Sequence, residues 1–200
     1  MIKAEKDYLK EYGDVSNDKI ERIGQFLKKE PPSKKVNVYE EINQRYKINW
    51  QTLSFTIYLV PKPTPRPRYS NRNFTFYVKG AGDNKKFMKE LFRNEDITLI
   101  TTPCIFNCTS YLPIPKSMKR HEKVLAELGF IYPISKPDWD NLAKTYCDMI
   151  QGVLLYDDSL IVEGTMKKRY SFKPRIEIMV SYMMDYDSEW NKQKIEKKGR

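Results

Sequence analysis

The sequence predicts an α/β (α+β) fold in which a small mixed β-sheet packs with helices, preceded by an N-terminal helical extension. Segments rich in β-branched and aromatic residues predict four strand regions, near residues 53–60, 97–112 (one long strand or a bent pair), 160–170 and 174–182. Two segments with helical periodicity lie between the second and third strands, at 117–128 and 138–150. Hydrophobic residues make up 40% of the 200 residues, which is enough for a folded core.

The first fifty residues have the pattern of short helices. They are predicted near Glu5–Tyr12, Asp18–Lys29 (with Ser16 or Asn17 as cap) and Val38–Tyr46. Pro31-Pro32 makes the last connection longer than the ~3–4-residue turn of a helix-turn-helix motif. We therefore expect residues 1–50 to be a helical extension of unclear role, residues 51–184 to be the main domain, and residues 185–200 to be a charged tail.

Positive charge is concentrated in one segment of the chain. The whole chain carries a net charge of +10, and residues 61–93 hold nine basic residues against two acidic ones. Alternating prolines and aromatic residues accompany these cations, a composition that suits contact with a nucleic acid. The candidate nucleic-acid-binding residues of this segment are Arg66, Arg68, Arg72, Lys79, Lys85, Lys86 and Lys89.

The cysteines and the apolar runs of the sequence indicate the cellular compartment of the protein. Three cysteines, an odd number without an export signal, favour reduced thiols, and for Cys104 and Cys108 burial in a strand is a better interpretation than zinc binding. The longest apolar run, Leu53–Val60, is far shorter than the ~20 residues of a membrane-spanning helix. We expect a cytoplasmic protein, at the nucleoid when bound to DNA, with no membrane partner.

Two pairs of acidic residues are the candidates for chemistry. Asp138 stands where a helix N-cap is expected, and Asp140 follows in the first turn, so the two carboxylates repel unless a cation or a proton lies between them. Lys144, one turn beyond Asp140, is in reach of the same face. Asp157-Asp158 opens the third strand, where alternation lets only one of the two side chains face the first pair. The residues themselves do not decide which one does.

Several spaced motifs resemble the RusA family of Holliday junction resolvases. The segment from Lys136 to Lys144 reads Lys-Pro-Asp-Trp-Asp-Asn-Leu-Ala-Lys, and it is followed by Asp148, Gly152-Val153, Asp157–Val162, Lys167 and Pro174–Ile178 in the family's order. The proline- and arginine-rich exit of the first strand, residues 61–68, resembles the family's N-terminal segment. Residues 1–50 have no counterpart in this pattern.

The resemblance implies a homodimer that binds four-way DNA junctions and nicks paired strands with Mg²⁺ or Mn²⁺. By position in the family pattern, Asp138, Asp140 and Asp158 are the metal ligands, and Lys144 is the essential lysine. Asp157 is then left to bond backbone amides at the strand entry. Lys136 and Lys167 complete the set of candidate nucleic-acid-binding residues.

Two other functions remain open at this point. An Asp-x-Asp pair also occurs in metal-dependent nucleotidyl- or glycosyltransferases, although the chain has no glycine-rich phosphate loop. In a non-catalytic DNA-binding module, the same carboxylates would only cap a helix and start a turn. Cleavage of branched DNA with Mg²⁺ separates the nuclease from both alternatives. The sequence leaves open whether a phage or a cellular pathway is served.

Overall fold

The structure is a computed structural model that describes residues 16–29, 49–63, 68–69, 75–76, 88–89, 92, 98–184, 186 and 193. The chain divides into two units, Met1–Tyr46 and Lys47–Arg200. In the first unit, helix α1 covers Asn17–Lys29, and the Ser16 hydroxyl accepts a hydrogen bond from the Lys19 amide at 3.3 Å. This confirms the predicted second helix and its cap. The helices predicted near residues 5–12 and 38–46 lie outside the described residues.

A mixed four-stranded sheet organises the second unit. Its strands, in the spatial order β1-β6-β4-β5, are β1 (Trp50–Ile57), β4 (Cys104–Pro113), β5 (Ile161–Ser171) and β6 (Arg175–Met183). Strand β6 runs antiparallel to β1 and β4, whereas β4 and β5 are parallel. A parallel pair needs a crossover connection, and helices α2 (Arg120–Glu127) and α3 (Trp139–Ile150) lie in it. The predicted fold class is therefore confirmed.

One face of this sheet packs into the hydrophobic core. Side chains alternate along β4, so that Cys104, Phe106 and Cys108 are buried while their neighbours are only half-buried. The buried side chains of α3 that join the same cluster are Leu142, Tyr146, Met149 and Ile150. Cys104 and Cys108 are free buried thiols on a strand, as the sequence predicted. Helix α2 adds a smaller cluster through Ala126, which packs with Leu112 and Tyr170.

Some boundaries differ from the prediction. The second long strand begins at Cys104 rather than near residue 97, because Pro103 cannot donate a backbone hydrogen bond to a ladder. Ile100, before it, forms only an isolated bridge with Leu155. Helix α2 begins at Arg120 rather than at residue 117. At this observed start, the Glu122 carboxylate accepts a hydrogen bond from the Lys119 amide at 2.7 Å.

The first strand was predicted near residues 53–60, and β1 covers Trp50–Ile57. Two short antiparallel strands that were not predicted follow it in the chain, β2 (Arg68–Tyr69) and β3 (Thr75–Phe76). Within the basic segment, residues 88–89 form part of a short helical stretch, in which the Phe92 amide donates to the Met88 carbonyl at 3.1 Å. In the described part of the chain, every helix is too short or too polar to cross a membrane.

Candidate active site

The site is built on the start of helix α3. Asp138 occupies the N-cap position with extended backbone (φ −67°, ψ 146°), and its carbonyl accepts the first helical bond from Leu142 at 3.1 Å. Its carboxylate makes no capping hydrogen bond, and its side chain is exposed. An N-cap aspartate ordinarily accepts a bond from a backbone amide of the first turn. The position of Asp138 is therefore the predicted one, but its carboxylate is not used as a cap.

A tryptophan attaches this helix start to the sheet. The indole Nε1 of Trp139 donates to the Met166 carbonyl on β5 at 2.6 Å. Further along the helix, the Thr145 hydroxyl donates to the Asn141 carbonyl at 2.6 Å, and Thr145 is buried with the core face. The buried face fixes the rotation of α3 about its axis, and so it fixes which residues point away from the sheet.

A polar stripe follows the outer face of α3. Asp140 and Lys144 are exposed and four residues apart, so they lie one above the other on the helix surface. Cys147 and Asp148, half-buried, continue the stripe one turn later. The structure therefore places Asp138, Asp140 and Lys144 along the first half of α3, in the order that the sequence predicted.

The second acidic pair lies in a 3₁₀ turn and not in a strand. This turn covers Asp158–Leu160, and β5 begins only at Ile161, so the predicted strand alternation does not apply to the pair. Asp157 is the N-cap of the turn, and its carboxylate accepts from the Ser159 amide at 3.0 Å. The Asp158 side chain is exposed. The two neighbouring aspartates therefore differ in what their carboxylates do.

The charge of Asp158 acts on α3. Burial first, and then the negative charges of Asp158 and Asp148, raise the pKa of the Cys147 thiol to about 11. Both carboxylates therefore act electrostatically on the stretch of α3 around Cys147. Asp140 lies two turns earlier on the same helix, roughly 10 Å along its axis.

The donor set suits a hard divalent cation. Mg²⁺ binds carboxylate oxygens, keeps several waters and is commonly held by one or two carboxylates together with substrate phosphates. Among the described residues, no group of three or more histidine, cysteine, aspartate or glutamate side chains is close enough to hold a metal ion. The start of α3 carries both Asp138 and Asp140, whereas Asp158 lies in a separate 3₁₀ turn that the structure does not group with them.

The candidate nucleic-acid-binding residues are found in different places. Lys136 is exposed two residues before Asp138, and Lys89 is exposed in the short helical stretch. Lys167 lies on the opposite face of the sheet from α3, beside a hollow of about 480 Å³ that Asn107 and Glu177 also line. The side chains of Arg66, Arg68, Arg72, Lys79, Lys85 and Lys86 lie outside the described part.

Fold and site together define an α+β domain with two exposed carboxylates at a helix start, a lysine one turn further along the helix, and a separate basic segment at residues 61–93. The family profile described as Endodeoxyribonuclease RusA matches residues 59–181, which is more than half of the chain. The chain therefore belongs to the RusA family of endodeoxyribonucleases. Membership makes it a nuclease hydrolase, in a family that resolves Holliday junctions and binds branched DNA.

A bacterial relative shares most of the same region. It is the uncharacterized protein YqaN of Bacillus subtilis (strain 168), which is 33% identical over 134 residues. The alignment covers 64% of this chain and 94% of the relative. The likeness thus spans nearly the whole relative.

Sequence reasoning did not single out two side chains that hydrogen-bond between the start of α3 and strand β5, Trp139 and Lys168. Trp139 stood inside the recognised motif, but its bond to Met166 joins positions 27 residues apart. Lys168 was not singled out, although its neighbour Lys167 was. Alternation along β5 is the available signal, because it places adjacent lysines on opposite faces.

Proposed function

We propose that this protein is a metal-dependent endodeoxyribonuclease that binds four-way DNA junctions and resolves them by paired hydrolysis of phosphodiester bonds. The proposal assigns metal binding to Asp138, Asp140 and Asp158, with Mg²⁺ or Mn²⁺ as the cation. Lys144 is assigned to bind the phosphate or to stabilise the negative charge that develops on it during cleavage. Family membership supports the nuclease class, and the site supports the choice of residues.

The observation that carries the proposal is the unused carboxylate of Asp138. A purely structural aspartate at an N-cap accepts a hydrogen bond from the helix it caps, and Asp138 does not. It is exposed, and Asp140 lies in the first turn beside it. Two acidic groups at this spacing repel each other, and a divalent cation between them removes that repulsion.

The chain's own residues have defined tasks in this proposal. A bound divalent cation supplies an activated water and stabilises the departing oxygen. Asp138 and Asp140 hold their carboxylates at the helix start, where the amide dipoles also favour negative charge. The exposed ammonium of Lys144, one turn along, is placed to bind a non-bridging phosphate oxygen.

Substrate shape is tested on a denaturing gel with labelled four-way, flapped and linear DNA, with and without Mg²⁺. The expected result is symmetric nicking of the four-way junction, which requires the metal and is lost in Asp140→Asn. Junction binding by Asp140→Asn, measured in Ca²⁺, should be retained because removing a carboxylate relieves repulsion of the phosphates. Metal-independent cleavage, or equal cleavage of all three DNAs, contradicts the proposal.

A further inference from the structure

We propose that Lys168 is a positioning residue that holds the start of helix α3 against strand β5, so that Asp138 and Asp140 are presented together. This inference rests on the proposed function, because it concerns the same carboxylates. Lys168 itself lies on β5, thirty residues after Asp138 in sequence. It acts through the backbone that leads into the helix and not on the substrate.

Two hydrogen bonds carry the argument. The Lys168 ammonium donates to the Ser135 carbonyl at 3.0 Å and to the Pro137 carbonyl at 2.9 Å. These two carbonyls belong to the last residues before the N-cap, one of them to the residue that immediately precedes Asp138. One side chain therefore fixes the backbone on which the first carboxylate stands.

The segment before α3 depends on such bonds. Between the end of α2 and the start of α3, residues 128–138 form no regular helix or strand, so no backbone ladder holds them. Ile131 and Pro133 pack locally, but Ile134, Ser135 and Lys136, just before the helix, are exposed. With the indole bond from Trp139 to Met166, Lys168 gives the helix start two attachments on β5, at residues 166 and 168.

The choice of a lysine also has an electrostatic reason. Among the described residues, the Lys168 ammonium forms no ion pair with a carboxylate and instead donates to neutral carbonyls. It brings a positive charge to the backbone beside the acidic helix start without competing with a cation for a carboxylate. Metal sites commonly rely on outer residues that orient the ligands, and the loss of such residues reduces metal affinity ~10–100-fold. Lys168 would act on the ligands one step further out, through their backbone.

Strand β5 supplies a matched control next to Lys168. Lys167 carries the same charge one residue earlier, but alternation points it to the other face, beside Glu177 and away from α3. Lys167→Met removes one lysine from β5, as Lys168→Met does, and leaves the bonds to Ser135 and Pro137 intact. Any difference between the two variants therefore reports the contacts of Lys168.

The test compares wild type, Lys168→Met, Lys168→Arg and Lys167→Met by two measurements. Hydrogen exchange followed by mass spectrometry should show faster exchange at residues 135–142 in Lys168→Met, with β4 and β6 unchanged. Calorimetric titration with Mn²⁺ should show ~10–100-fold weaker binding. Lys168→Arg should recover part of the protection from exchange and part of the Mn²⁺ affinity, because a guanidinium also donates to two carbonyls. Lys167→Met removes a candidate DNA contact, so it is compared only in these two DNA-free measurements, where it should match wild type.

The half-saturating Mg²⁺ concentration for nicking gives a third readout, which distinguishes a failure of the proposed nuclease function from a failure of the proposed role of Lys168. It should rise about tenfold or more in Lys168→Met while junction affinity in Ca²⁺ stays unchanged. If the wild-type protein never cleaves DNA, the proposed function is wrong. Hydrogen exchange and Mn²⁺ binding still test the positioning role of Lys168 in that case. The positioning role of Lys168 is wrong if Lys168→Met leaves both the exchange at residues 135–142 and the Mn²⁺ affinity unchanged. If Lys168→Met does not fold, the same two readouts on Lys168→Arg and Lys168→Gln decide it.

Discussion

Asp138 and Asp157 occupy equivalent positions, each the N-cap of the helix or turn that follows, and use their carboxylates differently. Asp157 accepts the Ser159 amide, as a cap does, while Asp138 makes no such bond. Both residues have extended backbone. The contrast separates an aspartate kept for local structure from one whose carboxylate is available to a ligand.

The first prediction tests this contrast by removing each carboxylate. Asp138→Ala should change the free energy of unfolding by less than the ~0.5–2 kcal/mol of a bonded cap, because there is no cap bond to lose. Asp157→Ala should lower the free energy of unfolding by an amount within that range, because it removes the acceptor of the Ser159 amide. Urea denaturation followed by circular dichroism measures both. A loss of stability in Asp138→Ala as large as that in Asp157→Ala would mean that Asp138 is a cap in solution.

The second prediction concerns which aspartate of the Asp157-Asp158 pair takes part in cleavage. Asp158→Asn should lose nicking, because its exposed carboxylate is assigned to the metal. Asp157→Asn should keep nicking, because an amide oxygen can still accept the bond from Ser159. Initial rates over a range of Mg²⁺ concentrations compare the variants. A dead Asp157→Asn with an active Asp158→Asn shows that the assignment is wrong by one residue.

At the scale of elements, helix α3 was predictable because its signals are local. Pro137 and Asp138 mark its start, and the apolar spacing marks its buried face. The form of the Asp158 turn was not predictable, since Leu160, Ile161 and Val162 are apolar on both possible faces of a strand. The hydrogen bonds of Lys168 depend on where β5 passes the start of α3, and no local sequence pattern encodes that position.

Strand β4 supports a third prediction, on the pH dependence of stability. Burial, and then the nearby Cys147, raise the pKa of the Cys108 thiol to about 12, while an unfolded thiol titrates near its ordinary value of 9.0. Because the folded pKa is the higher one, the stabilisation is complete below pH 9 and is lost as the pH rises toward 12. The thiol proton thus favours the folded state at neutral pH.

The measurement is the slope of the unfolding free energy against pH between 9 and about 11, for wild type and Cys108→Ala. The slope should be less negative in the variant, whatever its stability at pH 7, because one titrating thiol has been removed. Lysines and tyrosines titrate in both proteins, so the difference between the two slopes isolates Cys108. Identical slopes contradict a buried thiol with a raised pKa.

For the whole molecule, the fourth prediction is that the protein is a homodimer. A four-way junction offers paired scission points, and a two-fold axis gives each of them one active site. Light scattering should report twice the mass of the chain. On a supercoiled plasmid that extrudes a cruciform, a dimer should release linear product within one binding event. A monomer that still makes coupled nicks would rule out this arrangement.

The fifth prediction places the main DNA contact on the basic segment of residues 61–93. Each phosphate contact on duplex DNA adds about 0.9 to the slope of log affinity against log salt concentration, because counterions are released. Replacing Arg66, Arg68 and Arg72 together by glutamine should therefore weaken junction binding and flatten that slope by up to about 2.7 per chain. Titrations at several salt concentrations, in Ca²⁺ to prevent cleavage, measure it. Glutamine at Lys116, Lys119 and Lys123, near α2, is the matched control with the same change in charge. If the control flattens the slope and the arginine variant does not, the contact surface lies at α2 instead.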